Sequence, residues 1–120
     1  MGSTVAAIVD VMRIIATQDV FGYDEARFVA APLLTGRNGN VRIIRLTPGQ
    51  VLPSHVHGPS DLFLLALEGT GTINTDAGDV GLPAGSMAQF DIGEELRISN
   101  RGDQGLTLLA FLSPVFPPNK

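Results

Sequence analysis

From Ala26 onward the chain alternates short apolar runs with clusters of turn-forming residues. The runs are Ala26–Leu34, Asn40–Leu46, Val51–His57, Leu62–Leu67, Gly71–Asn74, Asp79–Leu82, Ser86–Phe90, Leu96–Ser99 and Gly105–Leu112. Their length, β-branched content and regular spacing predict an all-β sandwich or barrel. The separating segments supply the turn chemistry: Asn38-Gly39 tolerates positive φ and closes a hairpin, and Asp76-Ala77-Gly78-Asp79 and Arg101-Gly102-Asp103 do similar work. Most prolines fall at run ends, where the missing N–H does least harm. The first fifteen residues carry the only helical signal, because Val5, Ile8, Val9, Met12 and Ile15 share one helical face. The same stretch also reads as a helix entering a strand at Met12–Ala16, so helix and strand both stay open.

Two runs are apolar on both faces. In Leu62–Leu67 and Leu106–Leu112 successive residues point to opposite sides, so both sides of these strands must be covered. A single barrel hides only its inside. The outside therefore calls for a second sheet, the N-terminal segment or another subunit, and a homodimer is the default symmetric answer.

With 120 residues the chain has room for one core. Its expected organisation is an N-terminal segment over 1–25 with a dimer contact in view, a barrel over 26–113 and an extended Pro-rich tail over 114–120. The formal charge of −4 and the scattered basic residues argue against a nucleic-acid partner. Without cysteine there is no disulfide, thiolate nucleophile or iron–sulfur site, and a reducing, cytoplasmic setting fits. The apolar stretch from Ala6 to Ile15 is broken by Asp10 and Arg13, too short and interrupted for a membrane span or a signal peptide.

Two glycine-framed patterns carry the chemistry. From Gly49, five residues lead to His55, one more to His57, four positions then precede Leu62, and six residues separate Leu62 from Gly69. From Gly85, five residues lead to Asp91, then Gly93, then Leu96 after two residues and Asn100 after three. These resemble the two motifs of the cupin superfamily, over roughly Val41 to Leu112. The resemblance implies a double-stranded β-helix (a jelly-roll barrel), with a short N-terminal helix or an exchanged strand added to it. It also implies that His55 and His57 are metal ligands. The departures are Leu62 where the family has Glu, Leu96 where it has His, and Asp91 where it has Pro. Asn100 matches the family Asn and is expected to close the turn into Arg101-Gly102.

His-x-His on a strand puts both imidazoles on one face, which Val51 and Pro53 would share. Two imidazoles alone hold an ion weakly, whereas catalytic metal sites usually supply three protein ligands. Asp61 is the candidate third ligand if a bulge redirects it, against a simpler role capping the turn Gly58–Asp61. One divalent transition metal (Zn, Ni, Fe or Mn) and no metal at all both remain open. Leu62, Leu64, Leu96, Ile98, Gln89 and Arg45 are expected to line the cavity. Arg42 and Arg45 have opposite parity, so one faces the interior and could clamp a ligand carboxylate.

Three functions follow. The first is a small-molecule-binding barrel in which His55 and His57 anchor an organic ligand and act as an acid/base pair. The second is a mononuclear metal enzyme of the dioxygenase or isomerase type, using His55, His57 and a non-standard third ligand. The third is a non-catalytic assembly or regulatory barrel. Fold alone does not choose among them.

Overall fold

The computed structural model describes residues 7–9 and 12–117. Its strands in chain order are β1 (Ala7–Val9), β2 (Met12–Ile14), β3 (Val29–Thr35), β4 (Asn40–Leu46), β5 (Val51–His55), β6 (Asp61–Glu68), β7 (Thr70–Thr75), β8 (Gly78–Pro83), β9 (Met87–Phe90), β10 (Leu96–Ser99) and β11 (Leu106–Ser113). A five-stranded sheet runs β3-β4-β11-β6-β9 and a four-stranded sheet runs β5-β10-β7-β8. All pairings are antiparallel. This is the all-β architecture that the alternation predicts and the double-stranded β-helix that the motif resemblance implies.

The start of the chain takes the strand reading. Among the described residues β1 and β2 pair as an antiparallel hairpin, Ala7 opposite Ile14 and Val9 opposite Met12, and a single 3-10 turn at Thr17–Asp19 follows. The helical face drawn through Ile8, Val9 and Met12 is not used; Val5 lies outside the described residues.

The inner faces of the two sheets enclose one core. Ile44, Leu46, Leu62, Leu64, Ala66, Leu108 and Ala110 of the larger sheet meet Leu52, Ile73, Leu82, Leu96 and Ile98 of the smaller. Leu62, Leu64, Leu96 and Ile98 are at most 1% exposed. Each buried side chain of this size contributes about 1.5–3 kcal/mol relative to exposure.

Glycines frame this core where the backbone needs them. Gly49, Gly69, Gly85 and Gly93 all have positive φ, the conformation L side chains avoid. At Gly69 a Cβ would also lie 2.4 Å from the carbonyl oxygen of Gly105, so no other residue fits. Asn100, 1% exposed, ties the two motifs together: its Nδ2 donates to Leu46 O and Gln104 O, and its Oδ1 accepts from Gly102 N. Its backbone carbonyl accepts from Gly49 N. The turn-closing role expected of Asn100 is the one it has.

The outer face of the larger sheet is partly covered by the segment that follows β2. Arg45, 5% exposed, turns outward and donates to the carbonyls of Thr17, Val20 and Phe21. Its Nη1 reaches Thr107 Oγ1 at 2.8 Å and Glu68 at 3.5 Å, and its guanidinium lies over the Tyr23 ring. A register shift in the β6–β11 ladder, between Ala66 and Glu68, makes this possible. It sets Glu68 opposite Thr107, on the outer side, although strict alternation from Leu62, Leu64 and Ala66 would turn it inward. Hydrogen bonds from Thr107 and Tyr23, then the Arg45 charge, hold the Glu68 carboxyl below the usual carboxylate range.

Candidate functional site

A hollow of about 290 Å³ opens between the sheet edges β3 and β5, where β4 and β11 form its floor. Ile44, Leu52, Ala110 and Leu112 provide apolar walls, and Ala30 and Ala110 leave the space that larger side chains would fill. Among the described residues the polar side chains at its surface are Arg42, His55 and His57, and no acidic side chain lines it.

A bulge places the histidines. Leu96 pairs with His55, but Ile98 pairs with Leu52, so β5 carries one extra residue between Leu52 and His55. Pro53 sits there, with no N–H to lose from the ladder. Below the bulge Leu52 is the interior residue, 4% exposed, and Val51 is 56% exposed. Above it the inward parity passes to His55 and His57. This corrects the expectation that Val51 shares the histidine face, because unbroken alternation does not survive the bulge.

The two rings have different environments. Their centroids are 4.4 Å apart, with planes inclined at 59°. His55 is exposed at the rim, and its Nδ1 lies 2.8 Å from Pro53 O. Since a carbonyl only accepts, Nδ1 carries the proton, and Nε2 is the acceptor of the neutral ring. His57 is 7% exposed and packs edge-on against Phe116 at 5.6 Å. Burial, then the neighbouring His55 and Arg42, lowers its pKa to about 4, so it is a neutral imidazole near pH 7.

The far wall comes from the end of the chain. Asn40 donates from Nδ2 to Phe116 O at 2.7 Å and accepts at Oδ1 from Phe116 N at 2.9 Å. Ser60 Oγ donates to Pro114 O. These bonds fold 114–117 against the barrel, where Phe116 and Pro117 line the hollow beside His57. An extended tail from Pro114 is therefore not what these residues form. A Cβ on Gly58 would lie 3.0 Å from the Phe116 ring, so the turn after His57 also needs glycine.

The remaining candidates are distributed as follows. Leu62, Leu64, Leu96 and Ile98 fill the barrel interior as packed core rather than lining the hollow. Gln89 is exposed on the edge strand β9, with Nε2 3.3 Å from Asp91 Oδ1, and lies away from the cavity. Arg45 is on the outer face, as described above, and Arg42 takes the inward place. Asp61 has the opposite parity to Leu62 and pairs with Ser113 at the end of β11, not beside the imidazoles. Of the lining residues only His55 and His57 belong to the candidate set; Arg42, Phe28, Phe116 and Pro117 are among those it lacks. Of these four, Arg42 alone gave a signal, through its parity with Arg45.

The residues around the two imidazoles do not match the metal that the two motifs imply. The Glu position holds Leu62 and the second His position holds Leu96, 1% and 0% exposed. Among the described residues no group of three or more His, Cys, Asp or Glu gathers at one point. The charged side chain acting on His57 is a cation, Arg42. Two imidazoles, aliphatic neighbours and a guanidinium do not fit a divalent cation, which needs further donors and negative charge.

Comparison with known proteins agrees with this architecture. The family model described as a cupin domain matches residues 42–112, more than half the chain. This chain is a member of the cupin family. Among solved structures, a protein from Thermus thermophilus is 24% identical, with 87% of this chain and 99% of that one covered and a TM-score of 0.78. An uncharacterized double-stranded β-helix protein from Klebsiella pneumoniae is 19% identical, covering 86% and 90%, with a TM-score of 0.79. An RmlC-like cupin from Desulfovibrio desulfuricans is 23% identical, covering 82% and 92%, with a TM-score of 0.71. At these identities the likeness concerns the fold. No curated protein matches the chain. No helix among the described residues is long and apolar enough to cross a membrane.

Proposed function

We propose that this cupin binds a small organic molecule in the hollow between β3 and β5, with His55 and His57 as polar anchors and no resident metal. The observation that carries the reading is the composition of the hollow. It is apolar over most of its wall, it has three nitrogen-bearing side chains at its surface, and leucines occupy the two remaining positions of the family's ligand set. Pockets for small ligands combine apolar walls with a few placed polar groups in this way. At about 290 Å³ the hollow lies at the lower end of the usual range, roughly 300–1,000 Å³, and suits a ligand smaller than a drug molecule.

The two imidazoles divide the polar work. His55, at the rim, has Nδ1 engaged with Pro53 O and presents Nε2 to the hollow. His57, neutral and half-enclosed by Phe116, offers one N–H and one lone pair to a bound molecule. Such a pair positions hydroxyl or carbonyl groups of a bound molecule.

Incubation with Ni, Zn, Fe or Mn, followed by desalting and elemental analysis, tests the metal-free part of this reading. The expected result is protein essentially free of metal. Near-stoichiometric metal that is lost in the double variant His55→Ala/His57→Ala would favour a metal enzyme instead.

A further inference from the structure

Resting on the reading of the hollow as a ligand pocket, we infer that its ligand is a small apolar monocarboxylate, clamped by Arg42. Arg42 lies on the inner face of β4, opposite Ala110 on one side and Pro32 on the other. Neither neighbour can bond its guanidinium, and Ala110 leaves it room. Its one hydrogen bond among the described residues is a long one, Nη2 to Ala30 O at 3.4 Å. Among the described residues it has no ion pair, whereas Arg45, Arg97 and Arg101 each face a carboxylate.

A guanidinium carries five N–H donors in a planar fork that matches a carboxylate. Arg45 shows what this chain does with a structural arginine: it bonds three carbonyls, a hydroxyl and a carboxylate. Arg42 is left largely unused beside an apolar wall. A cation bordering a poorly solvated hollow attracts an anion, and charge-assisted bidentate pairing is the strong form of that contact.

The charge count sets the class of anion. Among the described residues Arg42 is the one permanently charged side chain that lines the hollow, a single guanidinium that matches one carboxylate and falls short of a phosphate dianion. Among the described residues no acidic side chain lines the hollow to compete for Arg42. Apart from the group that meets the imidazoles, the body of the ligand is apolar, since Phe28, Leu52, Leu112 and Phe116 form the walls.

Calorimetry with matched acids and amides tests this directly: hexanoate against hexanamide, and benzoate against benzamide. The wild-type protein should bind the acids at least tenfold more tightly than the amides. Arg42→Gln should weaken acid binding roughly ten- to a hundredfold, the range for losing a hydrogen bond to a charged group, and leave amide binding nearly unchanged. Equal binding of acids and amides to the wild type would overturn the carboxylate assignment and leave the pocket reading standing. Preferential acid binding that Arg42→Gln does not alter would also overturn it, by placing the anion elsewhere. If neither series binds at millimolar concentration, both the pocket reading and this inference fail. The acid–amide comparison needs no variant, so it decides the question even if Arg42→Gln does not fold.

Discussion

His57→Gln removes an imidazole that the folded chain keeps uncharged. In the unfolded chain this ring titrates near 6.5; in the fold, burial, His55 and Arg42 lower the value to about 4, and among the described residues no carboxylate lines the hollow to oppose them. Protons therefore bind the unfolded chain first as pH falls. The stability associated with neutral His57 is fully present above pH 6.5 and is lost progressively down to pH of about 4. At about 1.4 kcal/mol per pH unit, the loss between pH of about 7.5 and 5 is about 2 kcal/mol, and the full window is worth about 3 kcal/mol. Urea unfolding followed by circular dichroism, for wild type and His57→Gln at both pH values, isolates this contribution because the other titrating groups are common to the two proteins. Wild type should lose about 2 kcal/mol more than the variant. Parallel loss of stability in the two proteins would refute the argument, and so would a wild-type His57 that titrates by NMR near its ordinary value.

Other parts of the structure make equally direct predictions. Asn40→Ala removes both bonds to the Phe116 backbone, so stability should fall by about 1–3 kcal/mol and hexanoate binding should weaken together with it; binding at wild-type strength would show that Phe116 does not need this support. Gly105→Ala puts a Cβ 2.5 Å from the Tyr23 ring, and the ring must leave its place against Glu68 and Thr107. The expected cost is about 1–3 kcal/mol with loss of the near-ultraviolet circular dichroism of the sole tyrosine, and an unchanged spectrum would contradict the packing. Phe63 and Met87, 36% and 60% exposed, lie on the outer face of the larger sheet, so sedimentation of the wild type should show the homodimer and Phe63→Lys should shift it to monomer; a wild-type monomer would contradict this.

Much of the barrel was legible in the sequence because its strands obey simple rules. The runs Asn40–Leu46 and Leu96–Ser99 coincide with β4 and β10, and the motif glycines mark the turns where positive φ is needed. Asn100 was readable for the same reason: a buried amide at a hairpin has local carbonyls and N–H groups to satisfy. The inward arginine was not legible, because Ile43 and Ile44 make both faces of β4 apolar and leave its parity undetermined. Here Ile44 faces the core and Arg42 goes with it, while Arg45 turns outward beneath Thr17–Phe21.

The pocket itself was harder to foresee. The bulge at Pro53 changes which residues of β5 point inward, and a proline in a strand signals an irregularity without fixing its register. Leu62 and Leu96 stand at ligand positions of the family pattern, which suggested a greasy cavity there, yet leucines of that size close the space and become core. The hollow lies instead beside Ala30 and Ala110, where small side chains leave room. Phe116 reaches it through contacts with Asn40, 76 residues away in the chain, a separation at which no local pattern operates.

The proposed function assigns the two imidazoles to an organic ligand and not to a metal. Nitrogen-15 NMR of the histidine rings tests it most directly, with the protein titrated in parallel with zinc and with hexanoate. Hexanoate should shift the His57 ring resonances saturably, while zinc up to a few equivalents leaves them in place. Stoichiometric zinc-induced shifts of both rings, with no response to hexanoate, would contradict the account.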